Sequence, residues 1–466
     1  MMQLFALVAA AVVQVDSTTP SRVMKEITPE QCRADVEKLV SFGTRHSLSD
    51  TESATRGIGA ARRWIKSEFE SISAQHGGRL QVSFEEFTAP KGPRMPREAQ
   101  LVNVVAVLPG TDPAQASRRY YVVGHYDSRN SEANDAEGDA PGANDDGSGT
   151  VVTIECARAL AGQQLPATVV FLCTVAEEQG LFGAKYHADQ AKARGENILG
   201  VLNNDIVGDP RGPWDPRTLK ERAAAGLPVP DDAAARGETG PSVVRVFSEG
   251  LPRNASAEQL AQIRSLSMES DSPSRQLARY VAEVATIERT AIRPKLVFRL
   301  DRFLRGGDHS VFNEAGFAAV RFTVPEEEYN RQHQNVREEK LPGGGARHFG
   351  DTPEYCDYEY MANVARLNVA ALVHLASAPA APANVRVITA QLANDTALRW
   401  EKVEGAASYE VVWRETTSPT WTNSKNVGDA VETRMDLSKD DYFFGVRAVG
   451  GAGFKSPVAF AGAAAK

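Results

Sequence analysis

The sequence lacks the marks of several protein classes. Only four of its 466 residues are cysteine and none form a CxxC pair, so neither a disulfide-stapled module nor a thiolate zinc site is indicated. The longest apolar run, Leu4–Val15, has about a dozen residues, whereas a membrane-spanning helix needs roughly 20. The net charge is -8 with no polybasic block, which argues against nucleic acid as a partner.

Several catalytic motifs are also missing. The chain has no GxSxG nucleophile elbow, no Walker loop and no GxGxxG sequence after a strand. Serine-nucleophile, nucleotide-phosphate and dinucleotide chemistry therefore lose support. What remains is a set of histidine and acidic residues, whose side chains bind metal ions and transfer protons.

The first two dozen residues differ in composition from the rest. Leu4–Val15 is rich in Ala, Val and Leu, as is the core of a secretory signal, so we expect residues 1–23 to be a signal peptide and leader. The protein would then be secreted or periplasmic, and a buried N-terminal strand is the alternative. Cys156 and Cys173 lie in apolar runs typical of a core. The sequence alone leaves open whether Cys32 and Cys356 form a disulfide.

Residues 24–377 alternate strand-like and helix-like segments. Apolar or alternating runs of strand length occur at Leu80–Phe87, Leu101–Leu108, Tyr120–Gly124, Ala167–Cys173, Ile198–Leu202, Val243–Phe247 and Phe317–Val324. Helix-like stretches occur at Ile58–Ile72, Thr150–Leu160, Leu181–Arg194, Ser274–Thr286 and Met361–Leu375. This alternation predicts an α/β domain in which helices flank a mostly parallel mixed sheet.

Two segments interrupt or follow this pattern. Residues 210–241 are rich in Pro, Ala, Gly and charge, which predicts a surface insertion and suggests a lid. Residues 378–383 are a predicted linker. Beyond it, short regularly spaced strands predict an all-β sandwich over 384–466. Its residues Trp400 and Tyr409, with Trp413 and Tyr442, resemble a fibronectin type III domain, which favours contact with a surface or another protein over catalysis.

Histidine and acidic side chains follow the predicted strands where each one ends. His125 and Asp127 follow one apolar run, Glu177 and Glu178 follow the next, and Asp205 follows a third. The carboxyl ends of strands in an open α/β sheet line a ligand crevice, so we expect these side chains to meet. Asp127 would accept the ring N–H of His125 and make its other nitrogen a better metal ligand.

Two further features of these residues point to metal ions. The adjacent carboxylates Glu177 and Glu178 repel each other unless they are exposed or a cation neutralises them. One of them then binds the ion while the other takes a proton from water. Asp145 lies in a turn-forming sequence before a helix, which alone is typical of a cap. As a ligand it would offer its two oxygens to two ions.

Taken in order, these motifs resemble the M28 family of zinc exopeptidases, from about Thr28 to Leu375. The matching segments are His125–Ser128, Gly142–Gly149, Glu177–Gly180, Asn204–Gly208 and Asp308–His309. The resemblance implies two zinc ions per chain, bound by His125, Asp205, Glu178 and a late histidine and bridged by Asp145. It further implies a catalytic role for Glu177, as general base, and for Asp127.

The late histidine departs from the family pattern, in which Tyr-His-Thr is closely followed by Asp-Thr. Here an insertion separates His333 from Asp351-Thr352. We favour His333, because the predicted strand Ala318–Val324 precedes it, and His348 is the alternative. His309 resembles a helix-start or substrate-side residue more than a metal ligand.

The resemblance implies an aminopeptidase that hydrolyses the N-terminal bond of peptide or protein substrates, using hydroxide formed at zinc. A glutaminyl cyclase of the same architecture, with a single zinc, is an alternative. A non-catalytic binding ectodomain on a peptidase scaffold is another. The Asp145-Asp146 pair before Gly-Ser-Gly favours the two-metal hydrolase, and the presence of every candidate ligand argues against the non-catalytic protein. The sequence identifies no substrate-binding residue.

Overall fold

The computed structural model describes residues 13–389 and 393–463. Its α-helices are α1 Thr19–Met24, α2 Pro29–Val40, α3 Gly57–Gln75, α4 Gly147–Leu160, α5 Phe182–Ala193, α6 Pro216–Ala224, α7 Ala233–Thr239, α8 Ala257–Ser265, α9 Pro273–Ile287, α10 Asp308–Ala315 and α11 Tyr358–Ser377. The strands before the predicted linker are β1 Val13–Gln14, β2 Gln81–Ala89, β3 Ala99–Leu108, β4 Arg118–His125, β5 Gln163–Gln164, β6 Thr168–Thr174, β7 Asn197–Asn204, β8 Val243–Ser248, β9 Arg293–Val297, β10 Ala319–Thr323, β11 Arg337–Lys340 and β12 Ala346–Phe349.

An eight-stranded sheet organises this part of the chain. Its strand order is β2-β3-β6-β4-β7-β10-β8-β9. The central strands β6, β4, β7 and β10 are parallel to one another, whereas β2, β3 and β8 join through antiparallel pairings. The predicted α/β fold with a mixed sheet is confirmed.

Helices cover both faces of the sheet. Apolar side chains of α3, α4 and α11 form the larger core on one face, and those of α5 and α10 form a smaller core on the other. Every residue of β6 is buried. A strand covered on both faces has no solvent side, which explains the continuous apolar run in its sequence.

Two glycines let α4 begin directly against the sheet. A Cβ atom on Gly124 would collide with the backbone of Gly149, and one on Gly149 would collide with the carbonyl of Asn204. Only glycine fits where two backbones come this close. The ends of β4 and β7 and the start of α4 are therefore neighbours.

Several of the elements that sequence patterns missed are short or polar. β9 was not predicted, and neither was the hairpin of β11 and β12, whose first strand is fully exposed. Because these strands bury little apolar surface, they carry no apolar run to detect. Within the predicted insertion 210–241, α6 and α7 form, and the Asp215 side chain caps α6 by accepting from the Arg217 N–H.

The predicted all-β segment is present as two four-stranded sheets. Its strands are β13 Arg386–Val387, β14 Thr396–Arg399, β15 Ala406–Glu415, β16 Asn423–Asn426, β17 Glu432–Met435, β18 Tyr442–Gly450, β19 Ala459–Phe460 and β20 Gly462–Ala463. The sheet orders are β17-β14-β13-β20 and β16-β15-β18-β19. Trp400 and Tyr409 lie in the core of this segment, with ring centroids 5.6 Å apart.

Buried ion pairs join these sheets to α9 and the residues just before it. Asp271 accepts from Arg279 at 3.0 Å and from Arg414 at 2.7 Å. The side chains of Asp271 and Arg414 are 0% and 2% exposed. Arg447 pairs with Glu283 of α9 at 2.6 Å. The C-terminal sheets are thus packed against the α/β part through ion pairs whose arginines are buried.

The predicted leader falls partly outside the described residues, which begin at residue 13. Val13–Gln14 pairs in parallel with Gln163–Gln164, and Val23 of α1 is buried. In the described part of the chain, no helix combines the length and apolarity that crossing a bilayer requires. Cys32 and Cys356 are free thiols in this structure.

Candidate metal centre

His125 is the final residue of β4, at the carboxyl edge of the central strands. Its N–H donates to the Asp146 carboxylate at 3.1 Å, and its carbonyl accepts from the Thr150 hydroxyl at 2.8 Å. The ring Nε2 lies 3.2 Å from Oδ1 of Asp145 and 4.0 Å from Oδ1 of Asp205. The two backbone hydrogen bonds hold His125 in place, and Nε2 of its ring faces the carboxylates of Asp145 and Asp205.

Asp145 lies between two histidines. Its Oδ1 is 3.2 Å from Nε2 of His125, and its Oδ2 is 2.9 Å from Nε2 of His333. The Asp145 N–H donates to Asp351 at 2.7 Å, and Gln332 donates to Oδ2 at 2.9 Å. A carboxylate with one oxygen on each side has the placement of a bridging ligand.

Glu177 and Glu178 follow β6, as predicted from the apolar run before them. Oε1 of Glu178 lies 2.7 Å from Nε2 of His333. The Asp127 carboxylate accepts the N–H groups of Glu177 and Glu178 at 3.2 and 3.3 Å. Nδ1 of His125 is closer to the Asp127 carbonyl, at 3.2 Å, than to its carboxylate, at 3.5 Å. Asp127 therefore holds the glutamates in place as well as contacting the histidine.

Asp205 directly follows β7 and is paired with a buried arginine. Its Oδ1 accepts from Arg321 at 2.7 Å, and the Arg321 side chain is fully buried. Arg321 also contacts Asp301 at 3.2 Å. This ion pair orients Asp205, leaving part of its charge for a further cation.

The structure separates the candidate late histidines. His333 contacts both Asp145 and Glu178, as described above. His348 lies on the exposed hairpin and bonds to Glu221 at 2.7 Å. His309 is the second residue of α10, and its ring contacts the carbonyl of Leu300. Of these three, His333 is the one placed beside the other candidate ligands.

Two groups of three side chains each converge within 4.8 Å: His125, Asp145, Asp205 and Asp145, Glu178, His333. Nε2 of His125 and Oε1 of Glu178 are buried without a hydrogen bond of acceptable geometry. Each nevertheless lies close to an oppositely charged group. A buried ligand atom without a well-directed hydrogen bond has a lone pair available for a cation. Carboxylate and imidazole ligands together suit zinc. The residues present fit metal ions.

The electrostatics of the centre agree with this geometry. Burial opposes protonation of His125, but Asp146, Asp127 and Asp145 outweigh it and raise the pKa well above the usual range. Burial likewise opposes protonation of His333, while Glu178 and Asp145 raise its pKa to about 10. The carboxylates thus stabilise positive charge among the candidate ligands, which is the charge that a bound divalent cation would supply.

Comparison with known proteins fixes the family. Residues 103–235 match the model of peptidase family M28. A probable zinc metalloprotease of Pyricularia oryzae is 44% identical over 440 residues, covering 93% of this chain and 82% of that protein. The chain belongs to peptidase family M28. A probable zinc metalloprotease of Leptosphaeria maculans is 41% identical, covering 94% and 95% of the two chains.

The M28 assignment agrees with the fold. The LapA aminopeptidase of Legionella pneumophila has a similar structure, with a TM-score of 0.52 at 18% identity, covering 79% of this chain and 77% of that one. At this identity the likeness concerns the fold alone. The family predicted from the motifs is confirmed, and the relatives support a zinc-dependent hydrolase acting on peptides.

Three residues that support the M28 centre escaped sequence reasoning. Asp146 accepts the N–H groups of His125, Gly149 and Ile206 at 3.1, 2.9 and 3.2 Å. Asp351 accepts the Asp145 N–H, and Arg321 pairs with Asp205, as described above. Of the three, only Asp146 and Asp351 could have been found from the sequence, since both lie in segments that match the family motifs. An arginine inside a strand reveals nothing of its partner.

The backbone around the M28 centre adopts unusual conformations. Ala176, Ile206 and His333 have φ angles of 60°, 63° and 55°, in the left-handed region that favours glycine. Ala176 immediately precedes Glu177, and Ile206 immediately follows Asp205. Such conformations cost roughly 1–3 kcal/mol each and concentrate at functional sites.

Proposed function

We propose that this M28 chain is a di-zinc aminopeptidase that hydrolyses the N-terminal bond of peptides. The observation that carries the proposal is Asp145, whose two oxygens belong to two different ligand groups. In this proposal His125 and Asp205 bind one ion, and Glu178 and His333 bind the other. A centre built for a single zinc, as in a glutaminyl cyclase, has no need of such a shared carboxylate.

Glu177 is the proposed general base. It lines the cavity above the ligand groups. Among the described residues, no side chain forms a hydrogen bond or an ion pair with its carboxylate. Burial, together with Asp205 and Glu178, raises its pKa well above the usual range despite the opposing effect of His125. Bound zinc supplies a Lewis acid for the scissile carbonyl and lowers the pKa of water. Glu177 accepts the water's proton and passes it to the leaving amine.

Asp127 acts through its neighbours in this proposal. By accepting two consecutive N–H groups, it fixes the backbone from which both Glu177 and Glu178 project. Its contact with His125 orients the ring and keeps Nε2 directed toward Asp145. We assign it a positioning role shared by the two ion sites.

The finer assignments outside the centre are proposals too. We interpret the C-terminal sheets as a fibronectin type III-type module and residues 1–23 as a secretion signal followed by a leader, whose last part stays on the folded protein because Val23 of α1 is buried in the core. N-terminal sequencing of protein recovered from the culture medium checks the second assignment. An intact Met1 on exported protein would contradict it.

The proposed function is tested with a panel of aminoacyl anilides. We expect hydrolysis of substrates with a free amino group, loss of activity with a chelator, recovery with zinc, and no turnover of the N-acetylated control. Metal analysis should give two zinc ions per chain. One zinc per chain together with cyclisation of an N-terminal Gln peptide would instead identify a glutaminyl cyclase.

A further inference from the structure

A cavity of about 450 Å³ opens above the proposed zinc ligands and is lined by four arginines: Arg94, Arg129, Arg302 and Arg305. The carboxylates among its described lining residues are Asp145, Glu177, Glu178 and Asp205. Each of these is a proposed zinc ligand or the proposed base. The arginines therefore need partners from elsewhere.

One of the four arginines already has them. Arg302 donates to Glu327 at 2.6 Å and to Asp301 at 3.1 Å, and its side chain is only 9% exposed. Asp301 also pairs with Arg321 and Glu327 also pairs with Arg245, so Arg302 belongs to a buried network of ion pairs. Arg302 therefore supports the wall of the cavity and is not free to bind a substrate.

The other three arginines surround the ligand group of Glu178 and His333. Arg94 is exposed and donates to the carbonyl of Glu178 at 3.2 Å. Arg129 contacts Nδ1 of His333 at 3.0 Å and the Glu178 carboxylate at 3.4 Å. The acidic group that Arg129 contacts is thus itself a proposed zinc ligand.

Arg305 approaches the same side of the centre from another loop. Its closest polar contact is Gln332, at 3.4 Å, and Gln332 in turn donates to Asp145. The nearest carboxylate, Glu327, is 3.9 Å away and already pairs with Arg302. The Arg305 side chain keeps 33% of its surface exposed. Its guanidinium is free to bind a group that enters the cavity.

The charges of the cavity then favour an anionic substrate. The four carboxylates of the lining would be neutralised by two divalent cations, and Asp205 also pairs with Arg321, so Arg94, Arg129 and Arg305 are left as excess positive charge. A guanidinium presents a planar pair of N–H donors that matches a carboxylate. Resting on the proposed peptidase function, we propose that Arg94, Arg129 and Arg305 select peptides that carry a carboxylate next to the scissile bond.

Two sources of that carboxylate are distinguished by kinetics. Anilides of Glu, Asp, Gln and Leu test the side chain of the N-terminal residue. The dipeptides Ala-Glu and Ala-Gln, each with its C-terminal amide, test the side chain and the α-carboxylate of the following residue. We expect kcat/KM to favour the carboxylate over its amide by about tenfold or more in at least one comparison.

Variants connect this preference to the arginines. Arg94→Gln and Arg305→Gln, alone and combined, should lower kcat/KM for the preferred acidic substrate by about tenfold each and spare the amide analogue. Arg299→Gln is the matched control, because Arg299 contacts Phe303 and lies outside the lining of this cavity. Equal kcat/KM values for the acidic substrate and its amide analogue would overturn the proposal. A preference for the acidic substrate that survives in the Arg94→Gln, Arg305→Gln double variant would overturn it too.

A binding measurement separates this proposal from the proposed function. Calorimetry compares glutarate with glutaramide on zinc-loaded protein and on the double variant. Tighter binding of glutarate that the double variant loses supports the arginine site, even if no peptide is hydrolysed and the peptidase proposal fails. Binding of glutarate that the double variant keeps places it on the metal and overturns the arginine site.

Discussion

At the scale of single residues, Glu177 and Asp145 offer the sharpest contrast. Glu177→Gln should retain two zinc ions and lower kcat by about 100-fold or more, because an amide cannot accept the proton. Asp145→Asn should lose zinc as well, since it removes charge from both ligand groups. Zinc analysis and kinetics on both purified variants check this, and full activity in Glu177→Gln would end its assignment as base.

The two late histidines provide a second test with a built-in control. His333→Ala should lose one zinc per chain and most turnover, because His333 contacts both Asp145 and Glu178. His348→Ala should keep both, since His348 lies on the exposed hairpin. Zinc content measured after dialysis distinguishes the two variants. Retention of two zinc ions by His333→Ala would contradict the ligand assignment.

The sequence predicts the residues that lie in short motifs after strands, because a strand end fixes where a side chain goes. His125, Glu178 and Asp205 are of this kind. His333 is harder, because it lies ten residues beyond the end of β10 and its position depends on a loop. Arg321 was not predictable, since its pairing with Asp205 depends on the register of two strands that meet only in the fold.

At the scale of elements, the contact between α2 and α4 buries two acidic residues around one arginine. Arg158 contacts Glu155 at 2.9 Å and Asp35 at 3.0 Å. Burial, partly offset by Arg158, raises the pKa of Glu155 to about 7 and that of Asp35 to about 6. Ionising either carboxyl therefore costs the folded state more than the unfolded chain.

This burial predicts a dependence of stability on pH. The contribution of Glu155 is complete below its usual pKa of 4.5 and is lost as the pH rises through about 7. Relative to wild type, the free energy of unfolding of Glu155→Gln should therefore rise by about 3 kcal/mol between pH 4 and pH 8. Urea unfolding at both pH values measures it, with the exposed Glu70→Gln as control. Parallel pH profiles for Glu155→Gln and wild type would refute the assignment.

Long elements that bury apolar side chains along most of their length were predicted best, whereas the buried eight-residue helix α10 was not predicted. β6 and α11 are recognised from their sequences because water is excluded from nearly every residue. α6 and α7 were not, since charged residues dominate them and their positions depend on caps and surface contacts. The hairpin of β11 and β12 escaped for the same reason.

At the scale of the whole molecule, a buried carboxylate holds the C-terminal sheets on the α/β part. Arg414→Ala would leave Asp271 with Arg279 as its remaining arginine partner in a site without solvent. We expect a loss of about 3 kcal/mol in the free energy of unfolding. Arg434→Ala, which removes a surface pair, should cost less than about 1 kcal/mol. Urea unfolding of both variants checks this, and equal losses would show that the buried pair is unimportant.

The domain order was readable from the sequence, but this contact was not. The change from alternating helices and strands to strands alone predicts two kinds of architecture. Arginines and acids look like surface residues in any sequence, so nothing marks Asp271 and Arg414 as buried partners. The predicted linker gave no sign that the two parts are packed together.

Asp146 gives the molecule a further property. Its carboxylate accepts N–H groups from three stretches of chain that are far apart in sequence: the end of β4, the start of α4 and the turn after β7. No one of these stretches can be released without breaking a bond at that common point. The proposed metal centre is therefore complete only when all three stretches are folded, and a nascent or partly unfolded chain lacks the arrangement that the proposed peptidase activity requires.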